Sequence, residues 1–349
     1  MAKFLNIKPI IMISKIPGLV VCLLFCYATQ AQKKQNVEVV RETDGKINIL
    51  INKKPFTSFL FPDTMEKPVL YPVHAANGTV VTRGFPLNPS PDDPTDHPHH
   101  IGIWFTHENV NGLDFWNNSY AIPEEKKHLY GWIKTDNILE MSGGKKGVLA
   151  YHANWTNQAN DILLEETTRF EFSGSENERI IDRVTTLKAN TQVLLKDAKD
   201  GVLGIRAAHA LQTPSREEKT FTDDKGNATI VPADTIANGN YITSEGKVGD
   251  SAWSTRAAWC KMFGKMGKDS ISISIIDHPS NLNYPTYWHA RGYGLFAANP
   301  LGEAIFTNGT KQTNKSLQKG ESITFRYRII IQNGKQTISP AELSRQVKR

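Results

Sequence analysis

Ile323-Thr324-Phe325-Arg326-Tyr327-Arg328-Ile329-Ile330-Ile331 is the stretch that decides the fold class. Ile323, Phe325, Tyr327, Ile329 and Ile331 alternate with Thr324, Arg326 and Arg328, a period of two that suits a strand with one buried and one wet face. Outward from it, similar alternation recurs over 46–51, 148–155, 163–172, 179–187, 203–211, 257–263, 270–276 and 293–298. Turn dipeptides punctuate these runs, among them Asp44-Gly45, Asn77-Gly78, Gly143-Gly144, Asn308-Gly309 and Asn333-Gly334, so hairpins are predicted rather than helical crossovers. The reading is an all-β protein, a large antiparallel β-sandwich. Ser339-Pro340-Ala341-Glu342 supplies an N-cap, a first-turn proline and a capping-box acid, which predicts one short C-terminal helix.

The first residues read differently. Lys3, Lys8 and Lys15 come with no acid, then an apolar run over 16–28, then Thr29-Gln30-Ala31, the layout of an export signal cleaved after Ala31. The run falls short of the roughly 20 residues a membrane span needs, so no integral span is expected after cleavage. Residues 32–349 are then expected to form a single large sandwich domain of a periplasmic or extracellular protein. Cys22 and Cys26 leave with the signal, which strands Cys260 without an intrachain partner; stability must come from the core. The formal charge of +6 drops by three lysines on cleavage, and such mild basicity gives no argument for nucleic acid as a partner.

Residues 86–98 hold five prolines and three aspartates and cannot continue a ladder, because proline donates no backbone hydrogen bond. This loop feeds into Asp96-His97-Pro98-His99-His100, which gathers three of the chain's ten histidines. Two uses of the cluster are open. His97, His99 and His100 could present neutral imidazoles to a divalent metal. Alternatively His99 and His100 act as general acid and base with His209 and His289, since imidazole titrates nearest neutral pH. The plain structural alternative is that these rings cap backbone groups, and that His209 is a buried histidine satisfied by its neighbours.

Tyr284 to Gly294 brings four aromatics, His289 and Arg291 into eleven residues, and Gly112-Leu113-Asp114-Phe115-Trp116 adds another aromatic group after the histidines. Aromatic faces beside a few polar tips suit a sugar, so Trp116, Tyr287, Trp288 and Arg291, with His74, Arg83 and Asp96, are the expected substrate contacts. Arg83 and Arg291 would hold a carboxylate, a keto oxygen or a developing oxyanion. The second polar stretch, 214–250, is expected to cover a sandwich edge or the site. No glycine-rich phosphate loop, nucleophile elbow or His-Glu-x-x-His helix is present in the sequence.

Taken together, Asp96-His97-Pro98-His99-His100, Gly112-Leu113-Asp114-Phe115-Trp116 and Pro285-Thr286-Tyr287-Trp288-His289-Ala290-Arg291-Gly292-Tyr293-Gly294-Leu295 resemble a bacterial PmoA-like family of unknown function, often labelled methane oxygenase. The resemblance runs from about Asn36 to Asn333. It implies a secreted protein of glycan-degrading bacteria with a fold similar to the β-supersandwich of galactose mutarotases, and it carries no assigned catalytic residues. Methane oxidation by a membrane subunit would require several long apolar helices, which this chain lacks. The leading expectation is a carbohydrate-active enzyme working on a sugar or glycoside by hydrolysis, elimination or epimerisation. A non-catalytic carbohydrate-binding protein and a secreted copper or zinc protein stand as alternatives. All of them rest on the loop imidazoles meeting the 284–295 segment in space.

Overall fold

Two eight-stranded antiparallel sheets build the molecule, in the computed structural model that describes residues 35–347 apart from 216, 223–227, 232, 235 and 336. The expected export signal at 1–31 lies outside the described residues. The first sheet runs in the order Val37–Thr43, Lys46–Ile51, Lys54–Leu60, Val69–Leu70, Ile103–His107, Gly201–Arg206, Leu295–Asn299 and Tyr287–Ala290. The second runs Asn240–Thr243, Trp259–Met266, Asp269–Asp277, Ser322–Gly334, Glu178–Ala189, Ile162–Gly174, Gly147–Thr156 and Trp132–Ser142. The fold is the all-β sandwich that the alternation predicts. Phe325, Tyr327, Ile329 and Ile331 point into the core with Ile49, Phe105, Leu203, Ile205, Trp288 and Phe296 of the opposite sheet. The closing helix is Pro340–Gln346, capped reciprocally by Ser339 and Glu342.

Two predicted elements differ. The run over 203–211 stops as a strand at Arg206 and ends in a 3-10 turn at His209–Leu211. The polar stretch 214–250, expected only as a cover for an edge or the site, contains the short strands Lys219–Thr222, Ala228–Val231 and Asn240–Thr243. Inside the sandwich an ion pair survives because its acceptors are met: Arg183 Nη2 lies 2.9 Å from Glu166 Oε1, and Tyr151 Oη and Trp155 Nε1 also donate to that carboxylate.

Strand register decides where a site can form. Trp104 stands opposite Gly204, Gly204 opposite Ala297, and Ala297 opposite His289, a row across four strands. Because side chains alternate, this row faces away from the second sheet, where Trp104, Leu295 and Ala297 join Val69, Tyr71, Trp116 and Tyr293 in a second apolar cluster. Gly204 is what lets two indoles lie there: a Cβ on it would sit 2.5 Å from Cζ2 of Trp104 and 2.7 Å from Cη2 of Trp116. Gly204→Ala is therefore expected to cost about 1–3 kcal/mol of stability by forcing the rings apart, as urea denaturation would measure.

At the end of the Asp269–Asp277 strand, Asp277 accepts from Asn281 Nδ2 at 2.7 Å and from the Thr286 amide at 2.8 Å. Burial nonetheless outweighs those bonds and pushes its carboxyl up to about 7. An acid that binds its proton more tightly folded than unfolded stabilises the protein when protonated, so its contribution is lost as pH rises from about 4 to 7. Thermal melts of wild type and Asp277→Asn should show the wild type losing stability relative to the variant across that window and no further change above it. A difference that stays constant from pH 4 to 8 would contradict the assignment.

Candidate functional site

The site is organised by one carboxylate between two buried arginines. Arg206 ends the Gly201–Arg206 strand, and its Nη2 donates to Asp96 Oδ1 at 2.7 Å. Arg83 donates to the same oxygen at 2.9 Å and to the carbonyls of Pro94, Asp96, His97 and His100, so it fastens the proline-rich loop at four backbone points. Both guanidiniums are fully buried. Burial, with the neighbouring Arg206 charge, draws Arg83 down to about 9, and Asp96 partly opposes this. Burial also works against ionisation of Asp96, but the bond from His97 and the charges of Arg206, His97 and Arg83 prevail and hold its carboxyl well below the usual range.

Above this pair the loop presents its rings in series. His97 has a φ of 45°, a left-handed conformation that a histidine adopts only where its surroundings enforce it, and its Nδ1 lies 2.5 Å from Asp96 Oδ2. The His97 ring stacks on His100 (centroids 4.8 Å apart, planes parallel), His100 stacks on Trp104 (5.0 Å, 17°), and Tyr293 stacks on His97 (5.3 Å, 7°). The loop imidazoles and the 284–295 segment thus touch directly, from positions about two hundred residues apart in the chain. His99 and His100 lie beneath His97 and are buried, which, together with the charges around them, drives both toward the neutral form. Arg206 Nη1 is 3.3 Å from His100 Nδ1, which puts the His100 proton on Nε2. His99 Nε2, Trp104 Nε1 and Trp116 Nε1 are buried with no hydrogen-bond partner among the described residues.

A second imidazole stands on the same face. His289 occupies the Tyr287–Ala290 strand, and its Nδ1 is 3.2 Å from Asp200 Oδ1, near enough for an ion pair though off the line of a hydrogen bond. Arg291 Nε donates to His289 Nε2 at 3.2 Å, so the neutral ring carries its proton on Nδ1, facing Asp200. Burial lowers the His289 pKa, with Asp200 pulling the other way. Arg291 lies over the Trp253 ring, 4.6 Å from its centroid. Tyr293, raised by burial, experiences the charges of Arg206, Asp200, Arg291 and Asp96 together, which ties the two halves of the site.

Several expected site residues stand elsewhere or do other work. His209 leaves the cluster for Asp234, 2.5 Å from Nε2, because the strand ends three residues before it. His74 bonds the Phe56 carbonyl at 3.1 Å. Arg83 is a loop clamp and not a ligand contact, its amino groups engaged by the loop. Trp288 faces the interior and donates from Nε1 to the Ala257 carbonyl, since neighbouring residues of a strand point to opposite faces. Trp116 is wholly buried in the floor, so it offers no exposed platform. Tyr287 is buried against Phe306, with Arg256 over its ring. The expected metal set His97, His99 and His100 does not converge: ring lone pairs lie in the ring planes, and parallel stacking of His97 and His100 keeps theirs side by side. Among the described residues no group of three or more His, Cys, Asp or Glu is arranged to hold a metal ion.

Four participants were not picked out from the sequence. Arg206 carried the one available signal, a charge inside an apolar strand pattern. Asp200, just before the Gly201–Arg206 strand, and Tyr293, in the turn between Tyr287–Ala290 and Leu295–Asn299, become site residues only through the pairing of those strands. Lys67, buried and donating to the Trp116 and Asn118 carbonyls, is lowered by burial to about 8 and fixes the Trp116 loop.

A family model described as a family of unknown function (DUF6807) matches residues 46–347, and its description does not carry the methane oxygenase label. No curated protein matches the sequence. Among solved structures, the chain is similar to a GH36 α-galactosidase from Geobacillus stearothermophilus at 10% identity and a TM-score of 0.37, covering 86% of this chain and 41% of that one. The chain thus spans about two-fifths of that enzyme's length. It is also similar to a galactose mutarotase-like protein from Clostridium acetobutylicum (11% identity, TM-score 0.33, 83% and 93% covered) and to the Slr1438 protein from Synechocystis sp. PCC 6803 (8%, 0.34, 86% and 96%).

Proposed function

The chain belongs to the DUF6807 family of unknown function, so its activity has to be read from the site, and we propose that it is an enzyme that moves protons on a sugar or glycoside at the outer face of the first sheet. The observation that carries this reading is the pair of carboxylate-backed imidazoles, Asp96–His97 and Asp200–His289: both carboxylates bear on Tyr293, His97 stacks on that ring, and the His97 charge is felt at Asp200. Asp96 holds Nδ1 of His97 and Asp200 faces Nδ1 of His289, which leaves Nε2 as the nitrogen of each ring assigned to proton exchange with a ligand. Two such groups on one substrate suit elimination or epimerisation, where one removes a proton and another supplies one.

Hydrolysis by paired carboxyl groups is disfavoured. That chemistry needs one carboxyl as acid and another as nucleophile or base. Asp96 is committed to two arginines and His97, and Asp200 faces His289. Trp253, half-buried and packed edge-on against Phe306, supplies apolar surface suited to a pyranose. The lysine-flanked apolar run at the N-terminus supports placing the activity outside the cytoplasm.

The test uses proton NMR in D2O with a panel of neutral and acidic methyl glycosides and short oligosaccharides. Enzyme-dependent loss of a ring C–H signal, or appearance of a vinylic proton, is the expected result. Sugars that bind but never exchange or react would replace this reading with a carbohydrate-binding protein.

A further inference from the structure

The lone pair of His289 that could accept a proton is already in use. Its Nδ1 carries hydrogen and faces Asp200, and its Nε2 accepts the Nε–H of Arg291 at 3.2 Å. In this arrangement His289 is a base with its working nitrogen covered. Uncovering it requires something that binds the guanidinium better than an imidazole does. A neutral hydroxyl cannot, whereas a carboxylate accepts two parallel charge-assisted hydrogen bonds in the geometry of the guanidinium fork.

We propose that the substrate of this site is an acidic sugar, whose carboxylate draws Arg291 away from His289 and thereby frees the base that attacks the carbon next to that carboxylate. The inference rests on the proton-transfer reading of the site. The indole of Trp253 beneath the guanidinium gives Arg291 a surface to turn on without losing its stacking. Lys199, 3.5 Å from Asp200 Oδ2, offsets the charge of that carboxylate on the same side. In the step that follows, the C–H bond adjacent to the carboxylate breaks and its hydrogen bonds to His289 Nε2. The electron pair moves into the carbon–carbon bond to give an enolate of the carboxylate, whose charge Arg291 holds. The imidazolium so formed keeps its Nδ1–H toward the Asp200 carboxylate, which stabilises it. A neutral sugar offers neither the trigger nor the acidified carbon, so one residue links recognition to activation.

The experiment is calorimetric titration of the whole protein with methyl glucuronide and methyl galacturonide against methyl glucoside and methyl galactoside. It is paired with 15N NMR of histidine-labelled protein, and repeated on Arg291→Gln and Arg291→Lys. An acidic glycoside is expected to bind about tenfold or more tighter than its neutral counterpart. It should also shift the His289 Nε2 resonance as the arginine bond is lost. The preference should fall to about threefold or less in Arg291→Gln and partly survive in Arg291→Lys, a pair that separates charge recognition from simple loss of folding. Equal binding of neutral and acidic glycosides, or binding that leaves the His289 resonance unmoved, overturns the inference while leaving the proton-transfer reading standing. If neither kind of sugar binds, both fall.

Discussion

Asp96→Asn is expected to lower folding stability by about 3–5 kcal/mol at neutral pH, read from urea denaturation. The reason is that the substitution preserves shape and removes the carboxylate that contacts both fully buried guanidiniums, Arg83 and Arg206. Breaking a buried pair from one side is costly because the partner charge is left in a low-dielectric surrounding with nothing to offset it, and here two charges are left. Asp96→Asn combined with Arg206→Gln should recover part of the loss, since one of the two stranded charges goes with it; the coupling between the positions should exceed about 1 kcal/mol. The pH dependence has a definite sign. A carboxyl held below its ordinary value in the folded state stabilises above that ordinary value, near 4, and its contribution drains away as pH falls below it. A loss under about 1 kcal/mol for Asp96→Asn would mean that the arginines are compensated in some other way.

His97→Ala and His289→Ala should each lower kcat/KM by about 100- to 10,000-fold on whichever sugar the panel identifies, while ligand affinity stays within about tenfold. The double variant should cost little more than the worse single one if the two rings serve one proton path. His289 has its pKa lowered by burial, so the limb of the pH–rate profile that reports its protonation lies below 6.5, and Asp200→Asn should move it lower still, because Asp200 is the group that pulls it upward. His99→Ala and His100→Ala act differently. The first removes the ring set edge-on against His97 and His100, the second the layer between His97 and Trp104, so their effect should appear as lost stability and a mispositioned His97, with kcat and KM changing together. Full turnover by His97→Ala would remove this residue from the mechanism.

Much of the fold was legible because burial of one strand face writes itself into alternate residues, as the stretch ending in Ile329-Ile330-Ile331 illustrates. The core-facing positions of Glu178–Ala189 and Ile162–Gly174 follow from the same pattern. The site was legible only in outline. Asp96, His97 and the 284–295 segment declare themselves by composition. Which ring does what depends on register and face, and these are long-range facts. Trp288 and His289 are neighbours in sequence, yet one fills the core and the other meets Asp200, because strand side chains alternate across the sheet. Arg83 reads as a ligand clamp from sequence, and five hydrogen bonds to the loop make it a scaffold instead. His209 reads as part of the group, and the end of its strand at Arg206 hands it to Asp234.

The grip of Arg83 on the proline-rich loop bears on how a ligand would arrive. A loop tied by its own carbonyls to a buried cation has already surrendered its freedom when the chain folds, so an incoming molecule meets a finished contour and need not spend affinity on organising it. Encounter should accordingly be a single rapid step with no slow isomerisation after it, and the amide hydrogens of 95–97 and 99–100 should exchange at the same rates with and without ligand.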